Sequence, residues 1–435
     1  MAKISEKMSS INNQNDNLIL IFTRYPTPGK TKTRLIPALG AEKAAILQKQ
    51  MTEFVIKEVK KVHCPFIICY TGATEKEMKK WLGENLYYLE QRGENLGERL
   101  TRAFHYGFKL GYKKIVAIGI DCIELRANIL QKAFDLLDKT DCVIGPADDG
   151  GYYLIGTKKY QPELFEDIDW GTEKVFKQTV NKIKNYKLLP KLKDIDYPED
   201  IPEKISVIIP TLNEEKNILE TIKNVNNGFN IEIIIADGGS TDNTLKLLKN
   251  KNVKIVKTKA NRAIQMNKGG SISTGTILLF LHADTILPNN WDIYVRNFFK
   301  QHGDKSLGFF KFQIKENFYF KKIIEFGTNI RSNFFKLPYG DQAFFIKKDL
   351  FIKIGGFPEV PILEDYLFVT YFKKFGKIHP LNIAIKTSGR RWLQNGILKT
   401  TVINQSIILA YKMGYNLELL KKAYKAGKNP FFYKP

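Results

Sequence analysis

With 435 residues, 43% of them hydrophobic and 26% charged, the chain has globular rather than disordered composition and length enough for two cores of ordinary size. No stretch approaches the roughly 18 apolar residues that span a bilayer. The polar opening MAKISEKMSSINNQNDN lacks a signal peptide's apolar run, so a short disordered tail over residues 1–16 and a cytoplasmic location are expected. The formal net charge of +23 favours anionic partners such as nucleotides or an acidic membrane surface, unless it reflects only a lysine-rich background. No helix-turn-helix, RNA-binding sheet motif or zinc finger speaks for nucleic acid, and none is expected as a partner. Cys64, Cys69, Cys122 and Cys142 show neither CxxC spacing nor a nearby histidine cluster, so they are expected to be buried small residues.

Apolar runs alternate with amphipathic stretches throughout, the pattern of α/β domains with mostly parallel sheets. The first strand candidate, 18-LILIF-22, leads into 23-TRYPTPGKTKTRLIP-37, where Arg24, Lys30, Lys32 and Arg34 crowd a bent loop able to cradle phosphate. It lacks the glycine spacing of a Walker A loop, and a merely solvated basic loop is the alternative. A helix over 41–61 follows, then strands at 66-FIICY-70 and 115-IVAIG-119, the latter reaching Asp121. A further strand at 142-CVIG-145 runs into 145-GPADDGGYYLIG-156, with Asp148 and Asp149 before two glycines and an aromatic strand. The proline-rich, charged stretch 190–204 suits a linker, with a boundary near residue 202.

PGKTKTRL, 93-GENLGERL-100, GPADDGGY and 194-DIDYPEDI-201 together resemble a GT-A-like transferase family found beside arsenosugar genes and related in fold to molybdopterin-cofactor guanylyltransferase. The resemblance covers about residues 17–201, moves DIDYPEDI into the first domain and leaves about 201–204 as linker. It implies that Lys30, Lys32 and Arg34 hold phosphates, that Asp121, Asp148 and Asp149 form an acidic site, and that Asp121 and Asp149 help hold a metal. Ile123 and Glu124 depart from the family's DCPD-like run.

The second half repeats the plan, with strand candidates 205-ISVIIP-210, 231-IEIIIAD-237, 253-VKIVK-257 and 277-ILLFL-281. Asp237 opens a DGGSTD turn in which Ser240 or Thr241 can cap the next helix. Asp284 ends its strand as Asp121 does, and ligands in open parallel sheets bind beyond such carboxyl ends. VIIPTLNEE, ADGGSTD, LHADT, 339-YGDQAFF-345, 355-GGFPEVPILED-365 and 388-SGRRW-392 in this order resemble glycosyltransferase family 2, inverting nucleotide-sugar enzymes of GT-A fold. The later pieces look like the subgroup associated with arsenosugar biosynthesis, and the resemblance spans nearly all of 205–435.

It implies that Glu214 and Asp237, near Pro210, contact the nucleoside, that Asp284 holds Mg²⁺ or Mn²⁺ on the diphosphate, and that Asp365 is the general base. Arg262, Arg390 and Arg391 can add positive charge near phosphate. Asp341, Gln342, Glu364 and Trp392 are expected to face the acceptor. The structural alternatives are an N-cap for Asp365, a turn for Asp341 and Gln342, and solvated arginines beside a core Trp392. His282 replaces the first carboxylate of the usual DxD, which removes one protein ligand from the metal.

The expected protein is therefore two tandem GT-A domains, 17–201 and 202–435. The second transfers sugar from a nucleotide-sugar donor to a small-molecule or lipid acceptor; the first is a glycosyltransferase or a nucleotidyltransferase that makes the donor. Phenylalanine interleaved with lysine over 309–327 and the basic tail 406–435 suit peripheral contact with the inner face of a membrane, or an acceptor pocket or domain interface. A non-catalytic nucleotide-binding scaffold is the outsider.

Overall fold

The computed structural model describes residues 15–433, except for the side chain of Asn395, and divides into two compact units at residues 1–201 and 202–435. The predicted tail lies outside the described residues up to residue 14. Asp16 is already held, its carbonyl accepting from the backbone N–H groups of Lys113 and Lys114. Both units are α/β, each built on one seven-stranded, mostly parallel sheet of GT-A-like plan.

In the first unit β1 (Asn17–Arg24), α1 (Ala41–Lys60), β2 (Phe66–Thr71), β3 (Tyr87–Glu90), β4 (Lys114–Ile118), β5 (Cys142–Pro146), β6 (Tyr152–Thr157) and β7 (Tyr186–Leu188) assemble in the order β3-β2-β1-β4-β6-β5-β7. Only β6 runs antiparallel, between β4 and β5. Cys69, Cys122 and Cys142 are buried, so the small-residue expectation holds for them, while Cys64 is half-buried.

The second unit comprises β8 (Ile205–Thr211), β9 (Ile231–Asp237), β10 (Lys254–Lys257), α2 (Arg262–Ile272), β11 (Ile277–Phe280), β12 (Ser306–Ile314), α3 (Lys321–Phe334), β13 (Phe344–Lys347), α4 (Glu364–Phe372) and β14 (Lys377–Thr387). It ends in α5 (Arg390–Asn395) and α6 (Ile397–Lys412), followed by a shorter helix. Its strand order, β10-β9-β8-β11-β13-β12-β14, repeats that of the first unit position by position, again with only the sixth strand, β13, reversed. The echo between the Asp121 and Asp284 strand ends is thus an equivalence of topology.

The strands are continuous apolar runs because helices cover both faces of each sheet. β8, ISVIIPT, is buried at every position. Within it Ser206 donates to buried Glu232 at 2.5 Å, and Glu232 also accepts from the Thr274 backbone (2.8 Å) and hydroxyl (3.0 Å) and from Lys254 (2.5 Å). One carboxylate thereby ties β8, β9, β10 and the turn before β11.

In both sheets the chain leaves the first strand in one direction and the fourth in the other, so their carboxyl ends flank a crevice where strand order reverses. β1 and β4 make this crevice in the first unit, β8 and β11 in the second.

Burial alone would raise the Glu232 carboxyl, but Lys254, Ser206 and Thr274 together hold it down at about 2. Its folded value lies below the unfolded one, so its stabilisation is complete above about pH 4.5 and fades as pH falls towards 2. Glu232→Ala is expected to cost about 2–3 kcal/mol at pH 7. In thermal unfolding across pH, the gap between variant and native protein should narrow below pH 4.

Candidate functional site

The crevice of the first unit gathers charge from three segments. Past β1, Lys32 takes the left-handed conformation (φ 47°) and aims its ammonium at Asp121, 2.8 Å away, at Asp196, 3.6 Å away, and at the Ile195 carbonyl, 2.5 Å away. Arg34 pairs with Asp196 at 2.6 Å. The Asp121 carbonyl accepts from the Ile195 backbone, stitching the end of β4 to the 192–196 strand-like segment. Oxygens of Asp149, Asp194 and Asp196 lie within 4.8 Å of one another. Burial, then the Asp149 charge, pushes the Asp194 carboxyl up to about 6. An all-oxygen set with like charges this close suits a hard divalent cation.

Of the two residues expected to hold a metal, Asp149 lies in this cluster and Asp121 lies beside it, joined to Asp196 through Lys32. Asp194 and Asp196 are the members the sequence left without a role. Asp148 turns away to Lys191, 3.0 Å distant. Lys30 is exposed, whereas Lys32 and Arg34 both reach the cluster at Asp196. The DIDYPED run marked the missed residues, but its periodicity could not show that it returns to the end of β4.

In the second unit, loops after β8 and β9 are laced together. Asn213 Oδ1 accepts from Thr241 N, Ser240 Oγ accepts from Asn213 N, and Thr244 Oγ1 accepts from Glu214 N. Ser240 and Thr241 therefore serve the neighbouring loop instead of capping, and the short helix begins at Thr244 without a side-chain cap. Asp237 is buried and closes its own turn, accepting from Gly239 N (2.9 Å) and Ser240 N (3.1 Å). Gln265 on α2 donates to the carbonyls of Thr211 and Ala236, pinning α2 over these strand ends. Pro210 is buried within β8.

The central charge pattern is a bridge. Arg390, at the start of α5, reaches Asp284 Oδ2 at 2.9 Å and Glu214 Oε1 at 3.2 Å. Burial works against the guanidinium's charge, but Glu214 and Asp284 outweigh it and raise its proton affinity further. Arg391 points elsewhere: it stacks on Tyr424 (3.4 Å to the ring) and donates to that residue's carbonyl. Trp392 packs edge-on against Phe312 with its indole nitrogen buried and unpartnered.

A second group meets around Gly340. Asp365 lies in the first turn of α4, where Leu363 occupies the cap position, so it is not an N-cap. Its Oδ2 accepts from Gly340 N at 2.7 Å. A Cβ at Gly340 would stand 2.8 Å from that oxygen and 2.9 Å from His282 Nε2, so only glycine lets the two groups converge. Burial, then the Asp365 charge, pushes the neighbouring Glu364 carboxyl well up, while Arg262, 3.8 Å away, opposes the shift. Burial and then Arg262 push His282 well down, leaving a neutral imidazole at pH 7. Asp341 has one buried oxygen without a partner and is raised to about 6 by burial. Gln342 is fully buried, donating to the Phe310 carbonyl and Ser332, so it braces the site without facing it. Arg331, stacked 3.5 Å over Tyr339, is a neighbour that charge spacing alone did not single out.

Comparison with known proteins agrees with the two-unit division. Residues 55–172 match the family "Uncharacterized protein conserved in bacteria (DUF2064)", and residues 206–357 match "Glycosyl transferase family 2". Over 85 residues the chain is 33% identical to the uncharacterized protein MJ1222 of Methanocaldococcus jannaschii, a stretch covering 20% of this chain and 33% of that protein. Among solved structures, a "putative nucleotide-diphospho-sugar transferase" from Desulfovibrio desulfuricans G20 is 36% identical, over 42% of this chain and 84% of that one, with a TM-score of 0.41. TarS 1–349 of S. aureus, solved in complex with UDP-GlcNAc, is 20% identical over 43% of this chain and 59% of that one, with a TM-score of 0.35. The chain thus spans about a third of its curated relative.

The acidic cluster separates Asp194 from Asp148. Asp194→Asn is expected to weaken Mn²⁺ binding to the first unit at least about tenfold, by removing one of few carboxylate ligands. Asp148→Asn should leave it nearly unchanged. Titration followed by the Mn²⁺ electron paramagnetic resonance signal compares the two.

Proposed function

We propose that this chain, which carries a glycosyl transferase family 2 segment in its second unit, transfers a sugar from a nucleoside-diphosphate sugar to a hydroxyl acceptor with inversion. The observation that carries this reading is the convergence of Asp365, Gly340 and His282 next to the Arg390–Asp284–Glu214 bridge. One side of the crevice offers charge control for a leaving diphosphate, and the other offers a positioned base.

The donor's nucleoside lies against the laced loops after β8 and β9, near Glu214 and Asp237. Its diphosphate lies at Asp284 and Arg390. A hard cation, Mg²⁺ or Mn²⁺, fits a site where Asp284 is the principal protein ligand, and when bound it neutralises charge on the departing diphosphate. Arg390 holds Asp284 and Glu214 apart from each other's charge in the free protein and is free to turn to phosphate oxygens when these compete for it.

On the opposite side, Gly340 N–H orients one oxygen of Asp365. Glu364, protonated at neutral pH, donates to the same carboxyl and adds no second negative charge. Asp365 then takes the acceptor hydroxyl's proton as that oxygen attacks the anomeric carbon from the face opposite the diphosphate. His282, neutral and beside Asp365, contributes a hydrogen bond rather than charge. The motifs in the second unit favour an acceptor in arsenosugar biosynthesis.

For the first unit we propose nucleotide chemistry at the Asp149–Asp194–Asp196 cluster, with Lys32 and Arg34 turning to phosphate. The alternatives are a second glycosyl transfer or synthesis of the donor. Incubation of the chain with nucleoside triphosphates and sugar phosphates separates them: pyrophosphate release marks donor synthesis, and its absence across all four bases rejects it.

Asp365→Asn is expected to lower kcat by about 10²–10⁴-fold while donor affinity is kept. Asp284→Ala should abolish transfer and donor binding together, and His282→Ala should reduce kcat by a smaller factor. Donor calorimetry beside product formation separates these cases, and full activity in Asp365→Asn would reject the mechanism.

A further inference from the structure

α3 is assembled against the usual order of a surface helix, which buries its apolar stripe and shows its polar face to water. Here the polar face is tied inward. Asn329 exchanges two hydrogen bonds with the backbone of Phe312, at 2.9 and 3.0 Å, and Glu325 accepts from Ile314 N at 2.8 Å. Ser332, buried on the same face, accepts from Gln342.

The apolar residues are left outside. Phe320, Ile323, Phe326, Ile330 and Phe334 recur at three- and four-residue intervals, which places them on one stripe, and they are 43–80% exposed. Tyr319, just before the stripe, is 88% exposed. α6 adds Leu398, Val402 and Leu409, and its C-cap Met413, all exposed. Glu316 ahead of α3 accepts from Gly389 N and Ser388 Oγ just before α5, which ties the entries of the two segments together. Patches of this size on a folded protein mark an interaction surface.

The charges around the patch identify its occupant. The acidic groups of α3 and its entry, Glu316 and Glu325, are consumed by the inward bonds just described. Lys322 at the stripe's edge and Lys399 and Lys412 on α6 stand exposed, in a chain of net charge +23. A symmetric pairing with a second copy would set these lysines against their own equivalents. Aromatic and aliphatic side chains rimmed by exposed lysine fit instead the headgroup region of an anionic bilayer, where the rings enter the acyl boundary and ammonium groups meet phosphate.

We propose that the second unit docks through the outward face of α3, assisted by α6, onto an anionic membrane surface. The inference goes beyond the transferase reading and does not depend on it. It gives the site a membrane side, since the chain passes from the end of α3 through Tyr339 and Gly340 to the Asp365 group.

The test is sedimentation of the full chain with vesicles of phosphatidylcholine alone or with 30% phosphatidylglycerol, in a salt series. Binding is expected to the anionic vesicles, weakening as salt rises but persisting in part. Phe326→Glu/Phe334→Glu, which lowers the net charge by two, should weaken it at least tenfold without moving the thermal midpoint. Lys80→Glu, an exposed change of equal charge on the first unit, should leave it nearly intact. Equal loss in both variants would reduce the effect to bulk charge and overturn the proposal. So would no binding to anionic vesicles at low salt, or a stripe-dependent dimer in light scattering that binds no vesicles.

Discussion

Carboxylates crowded at the end of a parallel sheet repel one another, and each crevice of this chain holds a cation among them. Lys32 stands between Asp121 and Asp196 in the first unit, and Arg390 between Asp284 and Glu214 in the second. Each basic group comes from a segment remote in sequence, and each bridge joins loops that strand pairing alone would leave apart. The same arrangement readies the crevice for a ligand carrying both signs. The proposed metal-bound diphosphate would offer a cation to the carboxylates and anions to the displaced Lys or Arg, so the internal pairs could exchange for external ones without leaving a charge unpaired.

The repeated topology explains why the bridges fall at equivalent places. In both sheets the order reverses between the first and fourth strands, and the only antiparallel strand lies beside the fourth. That geometry leaves one crevice per sheet free of a crossing connection. Differences between the units then lie in what returns to the crevice. In the first, the 192–196 segment brings Asp194 and Asp196. In the second, the segments at 340 and 365 and the start of α5 bring Gly340, Asp365 and Arg390. An acidic triad in the first unit and a carboxylate group with an arginine in the second are divergent uses of one frame.

Much of this was legible in the sequence because buried parallel strands are unbroken apolar runs. LILIF, IVAIG, ISVIIP and ILLFL each became a central strand, and Asp121, Glu214 and Asp284, past the last three, lie at the crevices. What periodicity cannot carry is return: it does not say that a distant loop folds back on a strand end. Asp194 and Asp196 were quoted as part of a motif and left without a role for that reason. Arg390 and Arg391 are adjacent and alike in a sequence, yet a helix start turns one to the carboxylates and the other to Tyr424. Asp148 and Asp149 divide in the same way. Neighbours in sequence project about 100° apart on a helix and to opposite sides of a strand, so paired residues rarely share a task.

His282 shows where a departure from a pattern is informative. A carboxylate there would place three negative groups, with Asp284 and Asp365, around a position too tight to admit even a methyl on Gly340. A neutral imidazole removes that repulsion while keeping a polar atom beside Asp365. Burial and Arg262 both press His282 towards neutrality, and Glu364 next to Asp365 is likewise held protonated. Burial and neighbouring charge thus favour the neutral forms of the two groups that flank Asp365. The proposed single displacement asks for one base beside the acceptor, and reducing the charge of that base's neighbours follows from burial and nearby charge more than from the identity of any one residue.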